Sequence, residues 1–181
     1  MSEDYAKGEF YISSSDFDEG EEIPKKCGYK FENSKPIILF WHKPEGTKTL
    51  ALIMDDPDAM KAVGKVWVHW LVCNIPSLYV SELPSQLPKS TEEMKSVIEH
   101  NNDESLSDIS IERWMIIGKT DFGETKYGGP APPDGRHTYI FKAYALDSVL
   151  DLNDGYSKQE LEDAMKGHII SEARLTGTFA P

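Results

Sequence analysis

The chain has 181 residues, 39% hydrophobic and 28% charged, with 11 prolines and 13 glycines, which is enough apolar material for one domain with a real core and too much for a disordered chain. Its formal net charge of −12 repels DNA, RNA and anionic lipid at long range and argues against those polymers as partners. A local pocket for a small anion stays compatible with that charge, because short-range hydrogen bonds act inside a screened surface field.

Acids crowd the start of the chain (Glu3, Asp4, Glu9, Asp16, Asp18, Glu19, Glu21 and Glu22 against Lys7), and the arginines are Arg113, Arg136 and Arg174. Cys27 and Cys73 stand far apart without a CxxC pattern, so reduced thiols in a cytoplasmic protein are expected. The segment MSEDYAKGEF lacks the basic start and apolar stretch of a signal peptide. The apolar run Val66 to Cys73 contains His69 and is far too short to span a bilayer.

In chain order, residues 9–12 (EFYI) predict a short first strand and 37–41 (IILFW) a buried one. Pro44-Glu45-Gly46-Thr47 is a turn and 49–54 (TLALIM) the next strand, which makes these two runs candidate antiparallel neighbours. Residues 65–75 (KVWVHWLVCNI) are β-branched and aromatic on both alternating faces, with Trp67, His69, Leu71 and Cys73 on one and Val66, Val68, Trp70 and Val72 on the other. A strand apolar on both sides is a central strand covered on both faces.

Residues 90–97 predict a short helix with a Ser90/Glu93 capping box, 99–108 a polar loop, and 113–117 and 138–146 two further strands. Residues 157–173 read as one long C-terminal helix, opened by a Ser157/Glu160 capping box and continued by Leu161, Ala164, Met165, His168, Ile169 and Glu172 at helical spacing. The expectation is a single, mainly β domain over residues 1–181: a β-sandwich with that helix on its periphery.

Three segments carry chemistry. Asp55-Asp56-Pro57-Asp58-Ala59 packs three carboxylates directly after a strand that Pro57 ends; it is either a solvated turn or a functional cluster whose charges need donors. His69, inside the central strand, must satisfy its ring nitrogens in the core or face a cavity. Tyr127-Gly-Gly-Pro-Ala-Pro-Pro133-Asp-Gly-Arg-His137-Thr-Tyr139 is stiffened by Pro130, Pro132 and Pro133, permits close approach at Gly128, Gly129 and Gly135, and delivers His137 and Tyr139 onto the next strand. The N–H groups of Gly129 and Ala131 could form an anion-binding nest there.

Together these segments resemble the phosphatidylethanolamine-binding protein family, known also for Raf kinase inhibitor protein. The likeness runs from FYISSSDFDEGEEIP through TLALIMDDPDA, VHWLVCNIP and YGGPAPPDGRHTYIFKAYALD to GHIISEARLTGTF. The short C-terminus is similar to the bacterial and archaeal branch. The resemblance implies an antiparallel Greek-key β-sandwich with short peripheral helices. It also implies a pocket made by Asp56, Pro57 and Asp58, by Trp67 and His69, by Ala131, Pro132 and Pro133, and by His137 and Tyr139. In the family this pocket takes phosphate or phosphoethanolamine-like headgroups, needs no cofactor or metal, and serves regulation of a partner such as a kinase or a serine protease, in a monomer or homodimer.

Three departures stand out. Met60 takes the place of a usual proline after DPDA, and Thr138 follows His137 where the family has arginine. The resemblance therefore implies that Asp58 lacks its arginine partner unless Arg136 reaches it. A family arginine near the last strand is also missing from TGTFAP.

The expected role is thus a binding protein rather than an enzyme, with neutral His69 and His137 each offering a ring N–H and phosphate-type ligands binding more tightly at lower pH. The competing readings are a metal-free hydrolase using Asp56 with His69 or His137, for which no GxSxG or Cys-His motif exists, and a zinc or iron site on the same histidines and carboxylates, for which no HExxH exists.

Overall fold

In a computed structural model that describes residues 8–77 and 113–181, the strands are β1 (Tyr11–Ser14), β2 (Ile38–Trp41), β3 (Thr49–Asp56), β4 (Trp67–Pro76), β5 (Ile116–Ile117), β6 (His137–Leu146) and β7 (Ile169–Phe179), with helices α1 (Ala59–Val63) and α2 (Lys158–Met165). Five strands form one antiparallel sheet in the order β5-β4-β3-β6-β7, and β1 and β2 form a second, two-stranded sheet. The expected helix at 90–97 and loop at 99–108 lie outside the described residues.

β3 is buried at every position, and alternation sends its side chains to two different cores. Leu50, Leu52 and Met54 join Phe10, Ile12, Phe40, Phe141 and Leu175, with β1 and β2 contributing to this side. Ala51 and Ile53 join Leu71, Cys73, Leu146, Leu161 and Met165, with α2 covering that side. The central strands are therefore covered on both faces, as their unbroken apolar runs require.

Four details differ from the sequence expectations. The first strand starts two residues later, at Tyr11. β2 and β3 are not neighbours: β2 pairs with β1, while β3 has both edges taken by β4 and β6. Ile38 and Phe40 instead pack on the face of the large sheet. Of the expected strand at 113–117 only Ile116–Ile117 pairs, because Met115 turns the chain at φ 49°.

The C-terminal helix is short. Its capping box forms as expected, but Gly167 at φ 80° ends the helical course. Residues 169–179 then become the longest strand, paired with β6 along its whole length from Leu146↔Ile169 to His137↔Phe179. The buried residues Ala173, Leu175, Gly177 and Phe179 repeat every second position, and this strand period overrides the helical spacing of Ile169 and Glu172. Cys27 and Cys73 are buried free thiols in different cores. Burial pushes them up to about 11 and about 12, which keeps both protonated. Among the described residues no helix is long and apolar enough to cross a membrane.

Candidate functional site

The site lies where β3 ends, β4 begins and β6 begins. In β4 the expected alternation fails at two points, between the partners of Leu50 and Leu52 and again at His69. Met54 faces Trp70 but Asp55 faces Val68, so His69 is an extra residue in a β-bulge. Val68 then packs with Leu71 and Cys73 on the α2 side, while Trp70 and Val72 join the other core. The bulge places the His69 ring edge-on to Tyr139 of β6, with centroids 5.1 Å apart.

His69 is pinned on both sides to the glycine-proline loop. Its Nδ1–H donates to the Gly128 carbonyl at 2.7 Å, and its own carbonyl accepts from Gly128 N–H at 2.9 Å. Burial lowers its pKa, outweighing the carbonyls and carboxylates near it. His69 is therefore a neutral ring whose single N–H is already engaged and whose Nε2 carries a lone pair. This corrects the expectation that its N–H is available to an anion.

The loop itself is clamped to residues 27–33. Gly129 N–H donates to Asn33 Oδ1 at 2.7 Å, Tyr29 N–H to Pro130 O at 2.9 Å, and Tyr127 O–H to Cys27 O at 3.0 Å. A Cβ on Gly129 would sit 1.9 Å from Cys27 O, so only glycine fits. The Gly129 N–H does not contribute to an anion nest as anticipated, because Asn33 takes it.

The DPD turn supplies the third wall. Asp56 Oδ1 accepts from the Ala59 N–H at 3.0 Å, and its Oδ2 meets His137 Nδ1 at 2.7 Å. On the other side of the same ring, His137 Nε2 meets Asp134 Oδ1 at 2.8 Å. Both nitrogens can donate only in the imidazolium form. Burial acts to lower the His137 pKa, but its hydrogen bonds to Asp56 and Asp134 and their charges outweigh it and raise it.

Asp58 solves its missing-arginine problem locally. Its Oδ2 accepts from the backbone N–H of Thr138 at 2.8 Å, the residue standing in the arginine's place. Arg136 turns away, to Thr178 Oγ1 at 3.0 Å and Glu22 Oε2 at 3.2 Å.

Between these walls is a cavity of about 150 Å³. Asp56, Trp67, His69, Ala131, Pro132, Pro133 and His137 line it, seven of the residues singled out in the sequence. Pro57, Asp58 and Tyr139 do not line it: the first two shape the turn, and Tyr139 is fully buried. The sequence reading missed Ala59, Ala62, Val63 and Phe122, which also line the cavity, and it gave no role to Asp134. Phe122 is wedged between Tyr29, stacked at 4.1 Å, and the edges of Trp67 and His69, each at 5.5 Å. Among the described residues the buried Trp67 Nε1 lacks a hydrogen-bond partner, while the buried Tyr139 hydroxyl lies near the Ala131 N–H and the Asp56 carboxylate. Among the described residues no group of three or more candidate metal ligands occurs.

Two antiparallel sheets with a mostly apolar cavity at one end of the larger one, closed by an imidazolium between carboxylates, define a pocket-bearing, mainly β protein. Residues 13–180 match the model of the family described as phosphatidylethanolamine-binding protein, and the chain belongs to that family. It is 39% identical over 163 residues to a UPF0098 protein of Methanothermobacter thermautotrophicus, covering 90% of this chain and 93% of that one. It is 34% identical to a UPF0098 protein of Chlamydia trachomatis, covering 93% and 97%. The fold is similar to a crystal structure of a phosphatidylethanolamine-binding protein homologue from Chlamydia trachomatis (TM-score 0.75, 32% identity, covering 94% and 97% of the two chains). It is also similar to E. coli YbcL, described as a new member of the mammalian PEBP family (TM-score 0.73, 26% identity, covering 94% and 98%).

Proposed function

We propose that the cavity binds the phosphate-type oxyanion of a small molecule or headgroup, and that its occupancy regulates a partner protein, a kinase or serine protease, by inhibition in the cytoplasm. The observation that carries the reading is His137, a buried imidazolium fixed through Nδ1 by Asp56, with its Nε2–H already hydrogen-bonded to a carboxylate oxyanion. Asp56 thus orients and charges the ring rather than meeting the ligand as a bare repelling charge. The Nε1–H of Trp67, a residue that lines the cavity, supports the same reading: it has no partner among the described residues, a buried unpaired donor costs about 1–3 kcal/mol, and an oxyanion is a partner for one. The reducing compartment agrees with two free thiols. The partner class rests on the family alone.

Among the described residues no serine, threonine or cysteine lines the cavity, which speaks against a hydroxyl or thiol nucleophile there. The test is calorimetric titration with inorganic phosphate and phosphoethanolamine, alongside His69→Ala and His137→Ala. Binding is expected in the parent chain and weakened in each variant by about 1–3 kcal/mol, the size of a charged hydrogen bond. Equal affinity in all three proteins, or turnover of phosphoesters lost in both variants, overturns the reading.

A further inference from the structure

Asp56 and Asp134 grip the same imidazole from opposite sides and differ in how they are held. Asp56 has a side chain 4% exposed, and its second oxygen is tied to the Ala59 N–H. Asp134 has a side chain 50% exposed, and among the described residues His137 is its one recorded partner. It stands at the tip of the loop between Pro133 and Gly135, and a Cβ at Gly135 would meet nothing within 4 Å. Its carboxylate takes the Nε2–H of His137, a residue that lines the cavity. Asp56 is part of the wall, and Asp134 is a removable occupant.

We propose that Asp134 is a built-in competitor: its carboxylate holds the ligand position on His137 in the empty protein, and an external oxyanion binds by displacing it into solvent. This rests on the reading of the cavity as an oxyanion site and adds a binding threshold to it. Exchanging one carboxylate for another monoanion leaves the charge balance around His137 unchanged, so a bare carboxylate gains little. A ligand wins when it brings more negative charge than Asp134, or an organic part that fills the apolar walls formed by Ala62, Val63, Trp67 and Phe122. The released Asp134 stays in solvent at the rim, where its repulsion of the bound anion is screened.

The test compares the full chain with Asp134→Asn and Asp134→Ala, using acetate, inorganic phosphate and a soluble short-chain phosphatidic acid as probes. The side chain is half exposed at a loop tip, so both variants should fold, and thermal unfolding checks that. The expected result is a gain of about tenfold in phosphate affinity in both variants, corresponding to ~1.4 kcal/mol, with a comparable gain for acetate, because removing a shared competitor raises the affinity of every oxyanion alike. The gain should persist at about 0.5 M salt, where a long-range field effect is screened out.

A gain for every probe supports displacement; a parent chain that binds the lipid probe more tightly than phosphate then assigns the natural oxyanion to a headgroup with its tails attached, and equal parent affinities assign it to the oxyanion alone. If the parent chain binds phosphate and the variants bind it equally or more weakly, Asp134 is a positioning residue and the competitor role is overturned while the oxyanion reading stands. A gain that vanishes in salt also overturns it. If neither parent nor variants bind any probe, the oxyanion reading falls and this proposal with it.

Discussion

Asp55 and Asp56 are consecutive, yet their carboxylates face opposite sides of the large sheet: Asp55 Oδ2 accepts from Lys142 Nζ at 2.6 Å and Lys158 Nζ at 2.7 Å, while Asp56 Oδ2 meets His137 at 2.7 Å. Strand alternation alone produces this division. The acid cluster that the sequence leaves ambiguous is thus two devices, a structural one that ties α2 to the sheet and one that charges the cavity.

Asp55→Ala is therefore expected to lower the unfolding free energy by about 1–3 kcal/mol, the range for charged hydrogen bonds. It lies at the lower end of what buried ion pairs show, because Lys142 and Lys158 are about one-fifth exposed and can turn to water. Phosphate affinity should stay within about twofold of the parent chain, since Asp56 keeps both its partners. Urea denaturation and calorimetry read the two quantities separately. A loss of binding without a loss of stability contradicts the division of labour.

Anion affinity should rise as pH falls. In the empty protein His69 is neutral, with its N–H on Gly128 O and its pKa lowered. Its Nε2 becomes a donor only on protonation, so an anion in the cavity favours the protonated ring and binding takes up a proton. A probe of fixed charge is required, because phosphate itself titrates in this range; dimethyl phosphate serves. Its affinity should increase between about pH 8 and pH 6 in the parent chain and rise less steeply in His69→Gln, which keeps only the share carried by His137. A flat profile in the parent chain refutes coupling through His69.

The two histidines act on stability with opposite signs. His137 has a folded pKa above the ordinary 6.5. Its contribution is fully present below about pH 6.5 and is lost as pH rises through the elevated folded value. His69 has a folded pKa below 6.5. The folded state then binds fewer protons than the unfolded chain, so stability is lost as pH falls below about 6.5. Urea unfolding across pH for the parent chain, His137→Gln and His69→Gln checks this. The alkaline decline should weaken in His137→Gln and the acid decline in His69→Gln; the reverse assignment is the failing outcome.

Much of this geometry is legible in the chain, and the exceptions have local causes. The continuous apolar runs of β3 and β4 announce strands buried on both faces. The DPD turn, His69 and the Pro-rich loop identify seven residues that line one cavity. The bulge at His69 is not legible, because adding one residue to a strand leaves no compositional trace, yet it decides that Val68 packs on the α2 side. The end of α2 is masked in the sequence because Ile169 and Glu172 satisfy a helical spacing, while Gly167, two residues after the last helical residue Met165, supplies the stop signal. Asp134 had one available signal, its position three residues before His137. Phe122 had none, since a lone aromatic in a polar stretch does not announce a stacking partner far away in sequence.

The cavity's rigidity depends on one backbone approach, and two glycines of the same loop make a controlled comparison. At Gly129 an added Cβ would lie 1.9 Å from Cys27 O and 2.8 Å from Tyr29 N, both backbone atoms that cannot rotate away. Gly129→Ala must push the loop off residues 27–33, breaking the Gly129–Asn33 and Tyr29–Pro130 bonds. The Gly128 carbonyl that fixes the His69 ring is the preceding residue, so it moves with them. The expected cost is about 3 kcal/mol or more, at or beyond the upper range for overpacking, together with weaker anion binding. At Gly135 an added Cβ meets nothing within 4 Å, and its φ is not in the left-handed region. Gly135→Ala should therefore leave stability unchanged or raise it by about 0.4–1 kcal/mol through the unfolded chain. Thermal unfolding of the pair decides the matter: equal midpoints would mean that the loop is not clamped through Gly129, and the preorganised ring of His69 would lose its anchor.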